Sequence, residues 1–123
     1  MIIRSEQFIN VLLDFFPETN EEYKKNIEKY YEVLDTVIIE DIFMPVIIKL
    51  LKENKNIILL KSIFKYFEEV SCCGDEYLVN VFSITVLEKL GDDREILEIA
   101  KLYMGTRTTQ LQIEADRDLG RIL

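Results

Sequence analysis

Apolar side chains recur at three- and four-residue spacing along almost the whole chain, and this pattern constrains the fold more than any other feature of the sequence. Such spacing lines one face of an α-helix, whereas a half-buried strand needs strict alternation, and no alternation persists here. Only four Gly and two Pro interrupt 123 residues. With 49% apolar and 31% charged residues, the chain can bury a core, and its length suits one hydrophobic core. The expectation is a single all-α domain over residues 1–123, built of about seven antiparallel helices joined by short polar breaks.

Ser5 is placed to cap a first helix with Phe8, Ile9, Leu12, Leu13 and Phe16 inward, and Pro17 stops it. Asn20 caps a second helix to about Leu34, with a stripe of Tyr23, Ile27, Tyr30, Tyr31 and Leu34. Val37, Ile38 and Ile39 read as a buried connector. Asp41 then caps a third helix with Pro45 in its first turn and Phe43, Val46, Ile47, Leu50 and Leu51 inward. After the break Glu53-Asn54-Lys55-Asn56 comes a fourth helix, with Leu60, Ile63, Phe64, Phe67 and Val70 facing in. Gly74, free to take positive φ, turns the chain into a fifth helix begun by Asp75. That helix is apolar on almost every side to Leu90, as expected of the element at the centre of the domain. Gly91 ends it as the C′ residue, Asp92-Asp93 begin a sixth helix, and Leu111, Ala115, Leu119 and Ile122 mark a last one.

The acidic start, long apolar helix and ending Leu87-Glu88-Lys89-Leu90-Gly91-Asp92 resemble the second helix of a HEAT-type repeat. The architecture is therefore a HEAT-like α-α superhelix or an irregular helical bundle.

Histidine is absent, so no Ser-His or Cys-His relay and no His-containing zinc site can form. Thr106, Thr108, Thr109 and Ser62 have no base beside them in sequence, and there is no phosphate-cradling Gly loop. The composition points to binding rather than catalysis, with no cofactor and no metal. A carboxylate-based metal enzyme is the residual catalytic option. The formal charge of −8 argues against a direct nucleic-acid contact, which relies on clustered cations, and suits a basic partner. Cys72 and Cys73 are adjacent, which strains a disulfide between them and leaves packed thiols of a reducing compartment as the simpler reading. Met1 to Glu6 lacks the form of a secretory signal and no apolar run reaches membrane-spanning length, so the protein is expected in the cytoplasm.

Paired acids occur at Glu21-Glu22, Glu40-Asp41, Glu68-Glu69, Asp75-Glu76 and Asp92-Asp93. Helix starts explain Asp41, Asp75 and Asp92. Glu40, Glu76 and Asp93 need cap nothing and are free to meet a cation. Among the tyrosines, mostly core by spacing, Tyr77 is the preferred interface residue, because Asp75 and Glu76 flank it at a helix start.

Phe8-x-x-x-Leu12-x-x-x-Phe16-Pro17-Glu18, the connector Val37-Ile38-Ile39-Glu40-Asp41, and the run from Asp75-Glu76-Tyr77-Leu78-Val79-Asn80 through Leu87-Glu88-Lys89-Leu90-Gly91-Asp92 resemble a family of small, acidic, all-helical bacterial immunity proteins. These are encoded beside polymorphic or contact-dependent toxins. The resemblance implies a protein that binds one cognate toxin, a basic nuclease-like domain, and occludes its active site. It places Glu40, Asp41, Asp75, Glu76, Tyr77 and Asp93 at the interface. The alternative is a helical adaptor that holds a peptide or partner helix in a groove between helices.

Overall fold

A computed structural model describes residues 2–121, which form seven helices and no strand. Helix α1 (Ser5–Phe15) buries Phe8, Ile9 and Leu12. Its cap is Arg4 rather than Ser5, which is already helical; the Arg4 amide donates to Gln7 Oε1 at 2.9 Å. Pro17 opens a 3-10 turn, Pro17–Thr19, because it lacks the amide a continuing α-helix would use. Helix α2 (Asn20–Tyr30) departs from expectation. It stops short of Leu34 because Tyr31 takes a left-handed backbone, φ 58°, and none of its side chains is fully buried. Tyr23 packs against the core but Tyr31 is 92% exposed, so the stripe read as core is only partly covered.

Helix α3 (residues 35–53) replaces the expected connector. Asp35–Ile38 is α-helical, Ile39–Phe43 forms one wide π turn, and Met44–Glu53 continues as α-helix. The Met44 amide reaches back five residues to the Ile39 carbonyl. This widened turn lies just before Pro45, whose ring would crowd the Asp41 carbonyl in a regular helix. Asp41 is therefore inside a helix and caps nothing.

Helix α4 (Ile57–Ser71) begins with the Asn56 side chain accepting the Leu59 amide, and its five expected core residues are all buried. The following turn closes without a positive φ at Gly74. Helix α5 (residues 76–92) is capped by Asp75, which accepts the Tyr77 amide at 3.1 Å and the Leu78 amide at 3.5 Å. Its middle, Ser83–Leu87, is a second π turn. Gly91 does not terminate α5 but is buried in its last turn, where an added Cβ would lie 2.6 Å from Asp116 Oδ1. Helix α6 (Arg94–Lys101) is capped by Asp93, and helix α7 (Thr106–Asp118) buries Leu111 and Ala115. The expected inward Ile122 lies outside the described residues.

Helix α5 is the hub. Its Phe82 meets Phe8 of α1 edge-on at 6.0 Å between ring centres and Phe67 of α4 at 5.1 Å. The two π turns pack on each other, α6 lies along both α3 and the end of α5, and α7 covers α4 and α5. In a repeat stack each unit touches only its neighbours. One helix touching α1, α3, α4, α6 and α7 is the arrangement of an irregular bundle. No described helix is long and apolar enough to cross a membrane.

Candidate functional site

Helix α7 cannot cap itself, since Gly105 precedes it and offers no side chain. The carboxylate of Glu68, on α4, takes that role. It accepts the Arg107 amide, the Thr108 amide and the Thr108 hydroxyl, each at 2.9 Å. Ser71 Oγ, buried behind this contact, lies 2.8 Å from Thr108 Oγ1. Gly105 makes room for the carboxylate, because a Cβ there would stand 2.5 Å from Glu68 Cδ. Partial burial pushes the Glu68 carboxyl up, but the hydrogen bonds donated by Thr108 and Arg107 outweigh it and hold the group below its ordinary value.

A depressed carboxyl contributes stability that is complete above its unfolded value and fades as pH falls through the folded one. Gly105→Ala should displace Glu68 and cost about 1–2 kcal/mol, the usual worth of an N-cap. Urea unfolding of the wild type and Glu68→Gln checks the linkage: their difference should shrink as pH is lowered from neutrality to below about 4. A pH-independent gap would show that the charge of Glu68 does not matter.

With its start pinned, α7 forms one wall of a groove of about 560 Å³ whose other wall is α5. Val79, Ile84, Leu111 and Ala115 supply its apolar lining. Asn80 and Ser83 also border it. Four acids line it, Glu76 and Glu88 from α5 and Glu114 and Asp118 from α7. None of the four makes an ion pair among the described residues. Arg107 is the one described cation in the lining, and it stands at the end marked by Cys72, whose thiol feels its charge.

The cysteines at that end are free. Cys72 Sγ points to Glu68 Oε2 at 3.6 Å, while Cys73 Sγ lies 4.0 Å from the carbonyls of Ile3 and Asp75. Loss of solvent and the Glu68 carboxylate push the Cys72 thiol up, which disfavours a reactive thiolate.

The six residues expected at an interface do not form one patch. Glu76 lines the groove. Asp75 and Tyr77 belong to a junction of three helix starts, where Arg4 Nη1 lies 3.5 Å from Asp75 and the Tyr77 hydroxyl donates to Asp35 Oδ2 at 2.7 Å. That donated bond pushes the Tyr77 phenol up, and the ring itself remains exposed. Glu40 and Asp41 sit on the wide turn of α3; Asp41 borders a shallow depression shared with Glu22, Lys25 and Lys29. Asp93 is not free, because it accepts the Glu95 amide at 3.0 Å and the Ile96 amide at 3.3 Å as the cap of α6. Asp92, expected as that cap, pairs with Arg121 instead.

Sequence reasoning missed Glu88, Glu114 and Asp118. A usable signal existed: Glu114 and Asp118 are one helical turn apart in the C-terminal half of α7, where the helix dipole gives an acid no support.

No curated protein and no solved structure matches the chain. Residues 9–119 match the model of a family described as a domain of unknown function, DUF7674, and the chain belongs to that family.

Proposed function

We propose that this protein is a stoichiometric binder that neutralises a cationic protein partner, as an immunity protein that closes the catalytic cleft of a basic, nuclease-like toxin. The observation that supports it is the groove between α5 and α7, with unpaired acids on both walls over an apolar lining. A chain at −8 attracts a cationic surface from a distance, and complementary charge raises the association rate and fixes the docked register. The choice of a toxin comes from the resemblance to immunity proteins. The apolar lining also suits an adaptor that holds a partner helix, while the acids on both walls favour a strongly basic target.

The test uses the protein encoded by the neighbouring reading frame. Titration calorimetry should give a one-to-one complex whose association slows about tenfold or more as salt is raised from low to high, and co-expression should restore growth to cells producing the neighbouring protein. A neighbouring product without a basic toxic domain, or growth arrest that persists at equal expression, would overturn neutralisation.

A further inference from the structure

Three of the four acids of the α5–α7 groove, Glu88, Glu114 and Asp118, give no dipole support to the helices that carry them. Asp118 closes α7, and Glu114 and Glu88 each stand about one turn before the end of their helices, α7 and α5. Carboxylates are disfavoured at that end of the macrodipole, and among the described residues no cation neutralises these three. By contrast Asp75 and Asp93 cap helix starts, and Asp116 is paired with Arg94 and Arg121. Three unpaired acids set against the local field thus share one surface feature.

The spacing of the lining residues defines what that feature can hold. On α5 they fall at 76, 79, 80, 83, 84 and 88, and on α7 at 107, 111, 114, 115 and 118, which is one continuous face of each helix. From Glu76 to Glu88 the α5 wall is about 18 Å long, close to three helical turns of an occupant. Ile84, 42% exposed, offers apolar surface along it. Charge is uneven along its length. Glu76 and Arg107 both line the groove with the cysteines, whereas Glu88, Glu114 and Asp118 line it with no other described cation.

We infer that this groove is a docking site for an amphipathic helix of the partner protein, one that sets apolar side chains against Val79 and Ile84 and delivers Arg or Lys to Glu88, Glu114 and Asp118. This inference rests on the reading of the protein as a binder of a basic partner and names the element recognised. Arg suits the site best, since its fork engages carboxylates through two donors while its stem covers apolar surface.

The probe is a lactam-stapled helix of about 15 residues, long enough to span the groove. It carries two Leu one turn apart and two Arg one turn further on. A matched peptide with Glu in place of both Arg serves as control. Titrated into isotopically labelled protein, the Arg peptide should bind saturably, with amide shifts confined to α5, α7 and the Cys72–Gly74 turn, and the Glu peptide should not bind. The double variant Glu114→Lys/Asp118→Lys should weaken the Arg peptide at least tenfold while its thermal unfolding stays at or above that of the wild type, because both residues are exposed and the dipole favours Lys there. Glu21→Lys on α2 should leave binding unchanged.

No saturable binding, shifts centred elsewhere, or equal affinity for the double variant would each overturn the inference. The two readings fail separately. A toxin neutralised equally well by Glu114→Lys/Asp118→Lys removes the groove and leaves neutralisation, whereas peptide docking without any protection of cells leaves the groove and removes neutralisation.

Discussion

Phe67→Ala is expected to lower the unfolding free energy by about 3–5 kcal/mol, the range for removing a buried phenyl ring from a packed core. Phe67 is fully buried on α4 and touches rings from three helices. Its centre lies 6.3 Å from Phe8 of α1, 5.1 Å from Phe64 of α4 and 5.1 Å from Phe82 of α5. The last two contacts are edge-to-face, the geometry in which aromatic quadrupoles attract. Truncation leaves a cavity that these rings cannot fill, since each is held from behind by its own helix. A loss of this size is a large fraction of the total stability of a domain of this length. Urea unfolding followed by far-UV circular dichroism and tyrosine fluorescence measures it. A cost below about 1 kcal/mol would mean that the core collapses around the site and that Phe67 does not hold α1 against α5.

Asp116→Ala should cost about 2–3 kcal/mol, because it removes a buried carboxylate that accepts from charged and amide donors. The Asp116 side chain is only 5% exposed; Arg94 Nη1 lies 3.4 Å from it and Arg121 Nη1 3.7 Å. Gln112 Nε2 donates to it at 3.2 Å and to the Leu87 carbonyl at 3.0 Å, while Arg121 Nη1 donates to the Glu88 carbonyl. The carboxylate thus holds in place the two side chains that satisfy carbonyls near the end of α5. Removing it leaves Gln112 and Arg121 without the carboxylate that joins them over Gly91, although Arg121 keeps Asp92 and the Glu88 carbonyl. Arg94, half exposed, can turn to water, which limits the cost. The measurement is a double-mutant cycle between Asp116→Ala and Arg121→Ala; additive losses would show that the two residues are not coupled.

The parts of this fold written as local pattern were legible in the sequence. The stripes of α1 and α4 are core because one face of each is apolar and a neighbour exists to cover it. Asp75 caps as expected because an N-cap is a contact between residues two or three apart. The stripe of α2 has the same spacing but is only partly covered, with Tyr23 against the core and Tyr31 exposed, and spacing cannot report what a neighbour does. The π turns escaped because a single wide turn is too brief to change a periodicity read over longer windows. The Glu68 cap joins residues about forty apart, and nothing near Gly105 in sequence announces it. The site was half legible for the same reason. Glu76 was found through its position at a helix start, whereas the opposite wall depended on which helix would lie beside α5.

The wide turn at Ser83–Leu87 has a further consequence. It inserts one residue without adding a turn, so it acts as an angular offset between the two halves of α5. Before it Phe82 faces α1 and α4, and residues after it meet α6 and α7. Deleting that residue would restore regular α-helical bonding, yet rotate everything from Glu88 onward by about 100° about the axis. Glu88 would leave the groove and Gly91 would turn away from Asp116. The chain length between the caps Asp75 and Asp93 is thus fixed by phase as well as by distance, and an insertion or deletion there repairs the helix only by dismantling what the helix serves.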